Sequence, residues 1–162
     1  MFEKILVAYD GSDHARRAFL LAEQLLRENE ACTVYLLSVI PNQPLEDESA
    51  AKIASEKADW FGPTTELLDP DRMDAELRAS YEAVKSTVLA SLSADLTDVE
   101  DRVIVDSIGS SSIARGICDY ATARNCDLIV MGRRGLGTLR STIGSVSAQV
   151  LHESEIPVLT VK

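Results

Sequence analysis

The sequence predicts an α/β fold built on a doubly wound parallel sheet. Five short apolar runs recur along the 162 residues, each bounded by turn-forming residues, as strands buried on both faces are. Between them, apolar residues repeat at three- and four-residue spacing, the pattern of a helix with one buried side. The alternation is regular, so each strand is expected to reach the next by a crossover helix, and right-handed crossovers leave few topologies. We expect one domain over 1–162 with five strands in the order 3-2-1-4-5.

The first strand is "KILVAY" (4–9). After "DGSD", residues Ala15, Ala18, Phe19, Ala22, Leu25 and Leu26 line one side of a helix that runs to about Glu28. "CTVYLLSVI" (32–40) is the second strand. Residues 41 to about 66, rich in Glu, Asp, Ser and Pro, form a connection long enough to suggest a function of its own. A short helix over 47–58 fits there, and the adjacent Trp60 and Phe61 either pin the segment or form a lid or subunit contact. Asp69 and Pro70 suit a helix start, followed by a stripe of Met73, Leu77, Tyr81, Val84, Val88 and Leu92. "DRVIVD" (101–106) is the third strand. In the next helix, "SSSIARGICDYATAR", the inward residues are Ile113, Ala114, Ile117, Cys118 and Ala121. "DLIVM" (127–131) and "PVLTV" (157–161) complete the sheet, joined by a helix from about Gly144 to Glu153.

Composition narrows the partners. The 26 acidic residues outnumber the 16 basic ones, a net charge of −10 that would repel nucleic-acid phosphates. No apolar run nears the roughly 20 residues that span a bilayer, and the start of the chain lacks signal-peptide features. We therefore expect a cytoplasmic protein with neither nucleic-acid nor membrane partners. Cys32, Cys118 and Cys126 form no CxxC and read as small buried hydrophobes. His14 and His152 lie on different elements with no second ligand nearby in sequence, so no protein-held metal site is expected. Neither histidine lies near the loop described next.

That loop, "MGRRGLGTLRSTIGSVS" (131–147), packs four glycines, three arginines and five hydroxyl side chains behind the fourth strand. It is not a Rossmann fingerprint, which follows the first strand, nor a P-loop, since no lysine lies between 132 and 161. "DGSDHA" likewise lacks the paired glycines of a pyrophosphatase-type loop. The chemistry still suits an anion. Gly132 and Gly135 let backbone N–H groups face inward, and Gly144-Ser145 opens a helix whose first N–H groups lack helical partners. An anion between them meets donors from both sides. Thr138, Ser145 and Ser147 add hydroxyls, and Arg133, Arg134 and Arg140 add positive charge. In the 3-2-1-4-5 order the winding reverses between strands one and four, so "YDGSD" and "MGRRGLG" meet at one crevice. The plainer alternative is a long loop with glycines for turning and Ser145 beginning a helix.

The chain resembles the universal stress proteins, a family with a G-x2-G-x9-G-[ST] nucleotide loop. "KILVAYDGSDHARRAF", "DLIVMGRRGLG", "IGSVSAQVL" and "IPVLTVK" carry the resemblance over nearly the whole chain. It implies an adenine-nucleotide alpha-hydrolase-like (HUP) fold and a stress-response role. It also implies ATP, or AMP or ADP, in the crevice, with Mg2+ carried by the nucleotide. By this resemblance Asp10 lies at the ribose with Tyr9 beside it, Val39 borders the adenine and Met131 sits next to the base. Gly132, Arg134, Gly135 and Gly144 form the loop, and Ser145, Val146 and Ser147 donate to phosphates. A homodimer through the last strand is also implied. One departure stands out: eight residues, "LGTLRSTI", separate Gly135 from Gly144, where the family has nine. A residue fewer shifts an extended chain by up to about 3.5 Å. The alternatives are a dimeric interaction module without nucleotide and a slow ATPase. The latter lacks an activated nucleophile or general base in the sequence, so no catalytic residue is assigned.

Overall fold

The computed structural model describes residues 2–41, 75–92, 99–135 and 143–162. In chain order these form β1 (Lys4–Ala8), α1 (Asp13–Glu28), β2 (Thr33–Pro41), α2 (Ala75–Leu92) and a 3-10 turn (Glu100–Arg102). There follow β3 (Val103–Ser110), α3 (Ile113–Ala123), β4 (Leu128–Gly132), α4 (Ser145–Glu153) and β5 (Val158–Val161). Every strand pair is parallel, in the order β3-β2-β1-β4-β5, so the expected topology is found.

Two-residue alternation splits each central strand between two cores. Ile5, Val7, Val34, Leu36, Leu128 and Val130 face α1, where Ala15, Ala18, Phe19, Ala22 and Leu26 are buried, and α2, which contributes Val88 and Leu92. Leu6, Tyr35, Leu37, Ile129 and Met131 face α3 and α4, meeting Ala114, Ile117, Tyr120, Ala121 and Val150. Burial on both faces is why these strands read as continuous apolar runs. Cys32 and Cys126 are buried and Cys118 half-buried, all as free thiols. Burial is the first cause pushing the Cys126 thiol up to about 11, so its reactive thiolate is scarce at neutral pH.

Helix α1 starts where Ser12 accepts the Ala15 N–H at 3.1 Å, and Asp13 complements the positive helix end. Its other end is closed from a distance. Arg102 Nη1 donates to the carbonyls of Leu26 at 2.8 Å and Asn29 at 3.0 Å.

The third strand departs from expectation, running Val103–Ser110 rather than 101–106. Its first expected residues form the 3-10 turn that aims Arg102 at α1. Its extra length comes from pairing: Ser107, Ile108, Gly109 and Ser110 register with Ser38, Val39, Ile40 and Pro41 of β2. Tertiary pairing overrides the weak strand propensity of "SIGS". In α3, Tyr120 joins the buried face although the expected stripe omits it. Among the expected α2 stripe, Val88 and Leu92 are buried, while Met73 and the side chains of Leu77, Tyr81 and Val84 lie outside the described residues. The helix expected at 47–58, Trp60, Phe61, Asp69, Pro70, Gly137, Thr138 and Arg140 also lie outside them.

Candidate functional site

The carboxyl ends of β1 and β4 are neighbours, with Ala8 in register with Met131, so the turns that follow them share one crevice. On the β1 side the backbone N–H of Tyr9 continues the ladder to the Leu37 carbonyl at 2.8 Å, and the buried Tyr9 carbonyl accepts the Ser38 hydroxyl at 3.1 Å. Gly11 then turns the chain at a φ of 79°, a conformation that suits glycine. Asp10 Oδ1 accepts the Ser12 N–H at 3.0 Å, which fixes the carboxylate at the crevice mouth.

On the β4 side the glycines are sites of close approach. A Cβ at Gly135 would stand 2.5 Å from Asp10 Oδ2. One at Gly132 would stand 2.8 Å from His14 Cβ and 2.9 Å from the Arg134 carbonyl oxygen. The turns that follow β1 and β4 therefore interlock: a side chain at 132 would meet backbone atoms, and one at 135 would have to displace the Asp10 carboxylate.

The far end of the loop folds back on its beginning. Gly144 N–H donates to the Arg133 carbonyl at 2.8 Å and caps α4 without a side chain. Arg133 N–H donates to the Val161 carbonyl of β5 at 2.7 Å. The buried Ser147 hydroxyl lies 2.9 Å from the Gly132 carbonyl and 3.1 Å from that of Arg133. Ser145 is exposed and Val146 half-buried on the first turn of α4. With Ser147 they supply the first N–H groups of that helix, which have no helical acceptor. Val39 and Met131 both belong to the α3/α4 side of the sheet, and a Cβ at Gly116 of α3 would lie 3.2 Å from Val39 Cγ1.

Asp10, Gly132, Arg134, Gly135, Gly144 and Ser147 are thus brought together, while Tyr9, Val39 and Met131 form the strand ends beneath. The residue that sequence reasoning missed is His14. It is distant from the loop in sequence, but it occupies the first turn of α1 and packs on Gly132. Its Nδ1 is buried without a hydrogen-bond partner, as are Arg133 Nε, Arg134 Nε and, elsewhere, Ser107 Oγ. With β1 beside β4, the first turn of α1 comes to lie over Gly132.

A model of the universal stress protein family matches residues 1–162. The chain belongs to that family. A universal stress protein of Thermus aquaticus is 33% identical over 164 residues, covering 100% of both chains. The stress response protein NhaX of Bacillus subtilis is 31% identical and covers 99% of this chain and 98% of its own. The structure of the family member UspA from Lactobacillus plantarum superposes with a TM-score of 0.67 at 22% identity, covering 98% of this chain and 97% of its own. Two further structures share the fold and hold ligands. A universal stress protein from Archaeoglobus fulgidus is in complex with dAMP (TM-score 0.59, 19% identity, covering 98% and 97%), and another family member is in complex with cAMP (0.53, 18%, covering 99% and 96%).

Proposed function

We propose that this protein binds an adenine nucleotide, ATP first and AMP or ADP otherwise, in the crevice between β1 and β4, and acts in the stress response as a regulatory dimer. The observation that carries the reading is the contact between Gly135 and the Asp10 carboxylate, with 2.5 Å to a would-be Cβ. A ribose hydroxyl can donate to that carboxylate while the phosphates run over the glycine bend toward the first turn of α4. Relatives of the same fold that hold dAMP and cAMP support the adenosine end. Mg2+ would arrive with the phosphates, since it favours phosphate oxygens and water over protein cages.

The dimer would form through β5, an edge strand on which Leu159 is 39% exposed. Covering it would hide an unpaired strand edge and an apolar side chain together.

A second reading has specific support. The eight-residue spacing from Gly135 to Gly144, and the engagement of Gly144 N–H and the Ser147 hydroxyl within the loop, favour an interaction module that holds no nucleotide. Mass spectrometry of small molecules released from the purified protein separates the two. Near-stoichiometric ATP, ADP or AMP, absent from Gly135→Val, supports the first reading. An empty protein that also takes up no added nucleotide leaves only the second.

A further inference from the structure

Three of the four orphaned buried polar atoms among the described residues lie at the root of the β4 loop: His14 Nδ1, Arg133 Nε and Arg134 Nε. They come from two elements distant in sequence. Gly132 joins them, because the space where its side chain would stand is shared by His14 Cβ, the His14 carbonyl carbon and the Arg134 carbonyl oxygen, all within 2.9 Å. The Arg133 carbonyl and Arg134 Cα are in turn each 3.4 Å from the would-be Cβ of Gly144.

Arginine nitrogens only donate, and an imidazole nitrogen donates whenever it carries its proton. The Asp10 carboxylate already accepts the Ser12 N–H and lies against Gly135. Among the described residues, the bend therefore carries nitrogens without a hydrogen-bonded acceptor. Their complement is a ligand rich in anionic oxygens.

We propose that His14 is a phosphate-binding residue, and that its Nδ1–H, with Arg133 and Arg134, forms the side-chain half of an anion seat whose other half is the backbone of 132–135. This rests on the nucleotide reading above and deepens it, because it adds side-chain donors from α1 to the glycine bend over which the phosphates run. It also gives the shortened loop a counterpart. Donors from α1 and from the first arginines take up work that a longer loop would leave to its second half.

The test separates a donor from a packing group. In asparagine the side-chain amide nitrogen stands near the position of Nδ1, whereas leucine fills the space without a donor. Calorimetric titrations of the native protein, His14→Leu and His14→Asn would use ATP, inorganic triphosphate and adenosine. His14→Leu is expected to weaken ATP and triphosphate about tenfold, the equivalent of one hydrogen bond to a charged group. His14→Asn should restore most of that loss, and adenosine should bind all three proteins alike. With only two histidines in the chain, the imidazole 15N resonances of the native protein give a reading that needs no variant. His14 should shift on adding triphosphate and His152 should not. Unchanged triphosphate affinity in His14→Leu, no rescue by asparagine, equal loss of adenosine, or a silent His14 resonance would each overturn the proposal. Triphosphate binding that depends on His14, in a protein that takes no adenosine or ATP, would keep the anion seat and sink the nucleotide reading.

Discussion

Two polar clusters in this molecule are built to opposite rules. Midway along β3, Asp106 accepts the Tyr120 hydroxyl of α3 at 2.9 Å and pairs with Arg124 at 3.3 Å. The Arg124 guanidinium lies over the rings of Tyr120 and Tyr35 at 5.1 and 5.7 Å, and those two rings meet edge to face. The named polar groups have found one another. At the carboxyl ends, by contrast, His14, Arg133 and Arg134 each keep a buried nitrogen without a partner. A buried donor left without a partner costs free energy, which sets this bend apart from the first cluster. The first cluster uses polarity to fasten α3 to the sheet. The second holds it in reserve.

The largest expected effect that tests this contrast is on binding. Gly135→Val drives a side chain into the Asp10 carboxylate. Calorimetry should find adenine nucleotide binding abolished, while thermal unfolding moves little because Gly135 is exposed. A variant that unfolds instead would make Gly135 part of the scaffold and erase the distinction between the two clusters.

Tyr120→Phe probes the fastened cluster. It removes a hydrogen bond to a charged group, and urea unfolding should show a loss of about 1.5 kcal/mol with nucleotide affinity unchanged. Coupling between Tyr120→Phe and ligand affinity would mean that the clusters communicate.

Alkali should reach the scaffold first. Tyr120 is raised above the usual tyrosine range, chiefly by burial and then by Asp106, and the Cys126 thiol is raised to about 11 from 9.0, chiefly by burial. Both groups hold their protons more tightly when folded, so their contribution is complete below the unfolded pKa and drains away as pH rises through the folded one. Stability should fall between about pH 9 and 11. Cys126→Ala should flatten part of that fall.

The smallest effect is at Ser12, which belongs to both turn and helix. Ser12→Ala removes the cap on Ala15 N–H and should cost about 1 kcal/mol in chemical unfolding. Its N–H still restrains Asp10, so nucleotide affinity should change less than stability does.

The sheet order and most of the core were legible because strands buried on both faces leave continuous apolar runs, and α1 leaves a clean stripe ending in Leu26. Asp10, Gly132 and Gly135 were legible as a pair of turns because strand order alone makes them neighbours. The tail of β3 was not, since "SIGS" becomes a strand only by pairing with Ser38–Pro41. Tyr120 was missed because its fit depends on Asp106, a partner on another element. His14 was hidden for the same reason. Its neighbour Gly132 is more than a hundred residues away in sequence, and nothing in "DGSDHA" announces which strand the helix will cross.

The bond from Arg133 N–H to the Val161 carbonyl, together with Ser147 over the Gly132 and Arg133 carbonyls, moors the first bend of the loop to β5 and α4. The conformational freedom of those residues is given up when the chain folds, not when an anion docks. Capture at this bend should therefore proceed at the pace of diffusion and charge attraction, and residence time, rather than arrival, should separate one ligand from another.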